Sequence, residues 1–94
     1  MLNIQILRTY GAIKERASYI QLDSDNKKIE EIERVFDFIP GRENRYIFRL
    51  YCLGYNYEEI RTLCEKNNIF YTYNAIKSKI RRTIQDLQQR GVIL

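Results

Sequence analysis

A chain of 94 residues, 45% hydrophobic and 30% charged, has room for one folded domain and is too apolar for a disordered tail. Sixteen Lys and Arg against twelve Asp and Glu leave a net charge of +4, and the absence of histidine removes the commonest general base and the commonest zinc ligand. No stretch reaches the roughly 20 uninterrupted apolar residues of a bilayer crossing, and MLNIQILRTYGAIKER lacks a secretion signal's basic start and long apolar run, so a cytoplasmic binding module without enzymatic activity, metal or cofactor is expected.

In chain order the spacing predicts helices only, about five of them in one all-α compact bundle. Ile6, Tyr10, Ile13, Ala17 and Ile20 recur at four and three, which predicts a first helix over 4–20 with one buried stripe. Gly11 weakens it by about 1 kcal/mol relative to Ala, and the alternation in NIQIL leaves a short strand as the other reading there. This stripe reads as packing on its own domain, with a homodimer seam as the alternative. Ser24 to Asn26 offer cap oxygens to a second helix over 26–38, lined by Ile29, Ile32, Phe36 and Ile39 and ended by Pro40. A third helix over 42–53 turns Ile47, Leu50 and Tyr51 inward, and Gly54 suits the left-handed position that closes it.

Asn56-Tyr57-Glu58-Glu59 has the pattern of a reciprocal capping box, opening a fourth helix over 57–66 that buries Ile60, Leu63 and Cys64. The box and the helix dipole account for Glu58 and Glu59 more simply than acid chemistry does. Cys52 and Cys64 lack further zinc ligands and an imidazole partner, and buried structural thiols are expected rather than a disulfide. After EKNNIFY, Thr72 is the best cap for a fifth helix over 73–90. The many tyrosines of this half read as packing rather than as a platform for stacking single-stranded bases.

Charge divides unevenly. Residues 1–40 carry six basic and seven acidic side chains, whereas residues 41–94 carry ten and five. Lys77, Lys79, Arg81, Arg82 and Arg90 crowd the fifth helix with Asp86 as the lone acid over 74–90. At 100° per residue, Ile76, Ile84 and Leu87 fall within about 40° of Ile80, while Asn74, Ser78, Arg81, Arg82 and Gln85 gather on the far side. Asn and Gln can pair bidentately with adenine and Arg with guanine. Two short helices joined by a turn, the second basic and polar-faced, form a helix-turn-helix pattern.

The strings IPGRENRYIFRLYCLGYNYEEI and NAIKSKIRRTIQDL, within Ile39 to Leu87, resemble the fourth conserved region of bacterial sigma factors, which reads an upstream promoter element. That resemblance implies a sequence-specific double-stranded DNA-binding regulator of transcription, free-standing as in a phage or mobile element, with RNA polymerase as a further partner. It implies that Tyr73, Asn74, Lys77 and Ser78 enter the major groove. Thr72, Arg42 and Arg45 match positions at phosphates, and Arg81 and Arg82, further along the same helix, are expected at phosphates as well. Tyr73 lies only about 20° from the core stripe, so packing is its other reading. The family's turn before the cap is tight; EKNNIFY is longer, which lengthens the fourth helix or splays the pair. Residues 1–40 then read as accessory helices and 41–94 as the helix-turn-helix.

Two alternatives accompany this reading. The ending TIQDLQQRGVIL resembles the close of a winged-helix recognition helix, with Gly91 leading into a wing strand Val92–Leu94. The other is a protein-binding module that docks on polymerase or another partner without reading DNA.

Overall fold

Apolar repeats at three and four residues become helices along the whole chain in a computed structural model that describes all 94 residues. The order is α1 (Ile4–Leu7), α2 (Tyr10–Ala17), α3 (Asp23–Phe36), α4 (Arg42–Cys52), α5 (Tyr57–Lys66) and α6 (Tyr73–Gln89), with no strand. The expected all-α bundle is present. No helix is long and apolar enough to cross a membrane.

The first expected helix is in fact two. Asn3 caps α1 by accepting from the Ile6 amide at 2.9 Å, and NIQIL forms this single turn rather than a strand. At Thr9 the ladder tightens: its amide and its hydroxyl both donate to the Ile6 carbonyl, at 3.0 and 2.6 Å. A threonine hydroxyl competing for a backbone acceptor in this way interrupts a helix that apolar spacing alone would continue. Helix α2 then ends at Ala17, so Ile20 falls past it and is 56% exposed instead of buried.

Helix α3 also starts earlier than the cap residues suggested, at Asp23 with Leu22 in the cap position. Asp25 is not a cap. It lies buried in the first turn and accepts from both Nε and an Nη of Arg16, at 2.8 and 2.6 Å. The Arg16 hydrogen bonds hold the Asp25 carboxyl below the usual carboxylate range, against burial, which pushes it up.

Two apolar clusters form the interior. One joins Leu7 and Tyr10 to Ile32, Val35 and Phe36 of α3, Phe48 and Cys52 of α4, and Leu87 and Ile93. The other lies among α4, α5 and α6 and holds Ile47, Leu50, Ile60, Cys64, Ile76 and Ile80. Both thiols are free and buried, and burial pushes Cys52 up to about 12. Tyr10, wholly buried, donates its hydroxyl to Glu33 at 2.7 Å, and Glu33 also faces Lys14 and Arg49. Residues 1–40 are thus packed on the remainder through a shared core.

Gly11 has a packing reason that outweighs its poor helix propensity. A Cβ there would stand 2.2 Å from the Leu53 carbonyl oxygen, so only glycine lets α2 cross the end of α4. Arg8, at the α1–α2 break, donates to the carbonyls of Tyr51 and Tyr55 at 3.2 and 3.4 Å and covers the Tyr51 ring at 4.1 Å. It thereby caps α4 from outside, where a cation also meets the negative end of the helix dipole. Gly54 closes the same helix at φ +107°, as its position predicts.

The wing strand does not form. Gly91 turns the chain at φ +73°, but Val92 and Ile93 fold back onto α6's end, Ile93 enters the first core, and the Leu94 amide donates to the Leu2 carbonyl at 2.8 Å.

Gly11→Ala is expected to lower unfolding stability by about 1–3 kcal/mol through overpacking against backbone, despite alanine's better helix propensity, as read from urea unfolding. Asp25 gives a pH signature. Its folded pKa is depressed, so its contribution is full above the unfolded value of about 4 and is lost as pH falls through the folded one. Asp25→Asn is therefore expected to be less stable than wild type at neutral pH, with the two unfolding midpoints converging in acid.

Candidate nucleic-acid interface

Helix α5 opens with the predicted capping box: the Asn56 side chain accepts from the Glu59 amide at 2.8 Å, and the Glu59 carboxylate accepts from the Asn56 amide at 3.0 Å. It ends at Lys66, so the longer connection adds no turn to it. Asn68 takes φ +60°, the Asn68 amide donates to the Glu65 carbonyl at 3.1 Å, and the Ile69 amide donates to the Cys64 carbonyl at 2.9 Å. This is the two-bond left-handed helix ending, with asparagine where glycine is commonest.

The rest of the connection is pinned to α4. Asn67 Nδ2 donates to the Tyr46 hydroxyl at 2.9 Å, and the Tyr71 hydroxyl donates to the Glu43 carboxylate. That hydrogen bond, with burial and the Glu43 charge, pushes the Tyr71 phenol up. Ile69 and Tyr71 lean on the second core, and α5 and α6 stay packed through Ile60, Cys64, Ile76 and Ile80. Thr72 then caps α6, its hydroxyl accepting from the Ala75 amide at 3.1 Å.

Helix α6 turns Ile76, Ile80 and Leu87 inward and leaves Asn74, Ser78, Arg81, Arg82 and Gln85 exposed on its other side. Lys77, Arg81 and Arg82 form no ion pair, and Lys79 lies over the Tyr71 ring at 4.5 Å. Elsewhere Lys14, Arg16, Lys28, Arg34, Arg49 and Arg61 each meet a carboxylate, whereas Arg8, Lys27, Arg42, Arg45 and Lys66 do not. Helices α3, α4 and α5 each carry acids in their first turn, and α6 carries none, leaving its amide end uncompensated. Exposed amides and hydroxyls on the first turns of a helix, with guanidiniums further along the same face, can donate to phosphate oxygens and to acceptors on base edges.

Not every expected site residue joins this face. Arg90 is clamped, donating to the Phe38 carbonyl at 2.6 Å and to Asp86 at 3.1 Å, so it drops out of the basic stripe. Arg45 is half-buried in the groove between α3 and α4, beside Glu33 and Asp37, and donates to the Ile39 carbonyl at 3.2 Å. Arg42 is exposed at the start of α4, next to Asn67 and Ile69 of the connection. Tyr73 sits edge-on to Tyr57 with ring centres 5.7 Å apart and is still 44% exposed, so it packs with one edge and presents the other.

No family model, curated protein or solved structure matches the chain. The site therefore rests on its own geometry, which also supplies a residue that sequence reasoning missed. Asn44, whose amide donates to the Pro40 carbonyl at 3.3 Å, lines a groove with Pro40, Lys79, Arg82 and Asp86 at the flank of the basic helix. Nothing in the local pattern around Asn44 signals this, because its neighbours in the groove come from a helix distant in sequence.

The Thr72 cap fixes where α6 begins. Thr72→Ala is expected to cost about 1 kcal/mol of unfolding stability and Thr72→Ser little, since serine keeps the acceptor oxygen; thermal unfolding of the two variants checks this.

Proposed function

We propose that this chain is a sequence-specific duplex-DNA-binding regulator of transcription, with α6 lying in the major groove. The reading is supported above all by α6's outward face, where exposed Asn74, Ser78, Arg81, Arg82 and Gln85 are free of the carboxylates that neutralise most cations elsewhere. Asn74, Lys77, Ser78 and the free edge of Tyr73 reach base edges, and Arg81, Arg82 and Arg42 take phosphates, with the Thr72 hydroxyl beside them. Asn44 joins them as a neutral contact. Arg45 serves the α3–α4 turn first, and its part at phosphate is the smallest. The sigma-like stretch also makes RNA polymerase a partner of this proposed regulator.

Selection from random duplexes at physiological salt is expected to recover a motif. On that motif, Arg81→Ala with Arg82→Ala is expected to weaken binding and flatten the plot of log affinity against log salt by about 0.9 per lost phosphate contact. An unchanged slope removes these arginines from the site. Absence of duplex binding even at low salt overturns the DNA reading in favour of a protein-docking module.

A further inference from the structure

The connection between α5 and α6 carries an aromatic ring whose exposure has no structural use. Phe70 is 72% exposed, yet it lies in one of the most firmly tied segments of the chain. On one side Asn68 and Ile69 complete the α5 ending through the Glu65 and Cys64 carbonyls, and Asn67 is held by Tyr46. On the other, Tyr71 is bonded to Glu43 and covered by Lys79, and Thr72 caps α6. Ile69 and Tyr71 both lean on the second core. Phe70, between them, is turned outward.

Isolated exposed apolar side chains are common and need no explanation on a mobile loop. Here the residues on both sides of the ring are tied down, and it stands two residues before the cap of α6, a short step in sequence from the exposed Tyr73 and Asn74. Little of the ordering cost of a contact there would fall on the backbone, which its neighbours already hold. Having no donor or acceptor, it gains nothing from a phosphate. Among the groups on a major-groove wall, the one it complements is the thymine 5-methyl.

We infer that Phe70 is a specificity-determining residue that packs on a thymine methyl at the edge of the site entered by α6. This rests on the DNA reading above. It adds a preference that the polar residues of α6 do not impose, and assigns it to the connection instead of the helix.

The test uses the full chain and the duplex recovered by random selection. Replacing each thymine in turn by deoxyuridine removes one methyl, and wild type is expected to lose about fourfold in affinity at one position near the end of the motif. Phe70→Ala is expected to melt with wild type, to bind roughly tenfold more weakly, to keep the same salt slope and to be indifferent to that uracil. Phe70→Leu, still apolar, is expected to retain most of the affinity and the methyl dependence. Phe70→Ala binding as tightly as wild type, or remaining as sensitive to every methyl deletion, overturns the assignment while leaving the DNA reading intact. A recovered motif without thymine at that edge does the same. Failure of wild type to bind any duplex removes the DNA reading itself.

Discussion

Helix α4 is buried on two sides, and the position of every other helix follows from that. Phe48 and Cys52 face the core built with α2 and α3, while Ile47 and Leu50 face the core built with α5 and α6. Tyr51, Leu53 and Ile84 border both. Helix α6 repeats the arrangement end to end: Ile76 and Ile80 lie in the second core and Leu87 in the first. The N-terminal helices therefore help to set where the basic helix points. A line of ring contacts makes the connection visible, from Tyr10 through Phe36, Phe48, Tyr51 and Tyr57 to Tyr73 at the entrance of α6.

Charge is distributed by the same division. Exposed ion pairs each add little stability. Their effect here is to neutralise much of α2, α3 and α5, while Lys77, Arg81 and Arg82 stay unpaired together on one helix. Lys77 and Arg81, four residues apart on α6, are like charges on neighbouring turns and cost the helix a few tenths of a kcal/mol.

Much of this was legible in the sequence because its causes are local. The stripes of α3, α4, α5 and α6, the Asn56–Glu59 box, the Thr72 cap and the Gly54 ending each depend on residues within a turn or two. What escaped depends on groups brought together from a distance. Asp25 looks like a cap oxygen until Arg16 is folded beside it. Gly11 looks like a weak point until Leu53 is known to pass within contact. The EKNNIFY stretch suggested splayed helices because Tyr46 and Glu43, which hold it, belong to α4. Arg45 and Arg90 are indistinguishable from Arg81 and Arg82 by residue type, and what separates them is the distant carbonyls of Ile39 and Phe38, with Asp86 one turn before Arg90. The break at Thr9 is local, but it arises from a hydroxyl that hydrophobic periodicity does not register.

The missing histidines and the two buried thiols together have a thermodynamic consequence. Side chains that ordinarily change charge near neutrality are histidine and perturbed cysteine. This chain has none of the first, and burial drives both of its thiols away from that range, Cys52 as far as about 12. The side chains of the folded protein therefore change charge little through the neutral range. For an anionic ligand, ionic strength therefore tunes the field of α6 more than pH does across the neutral range.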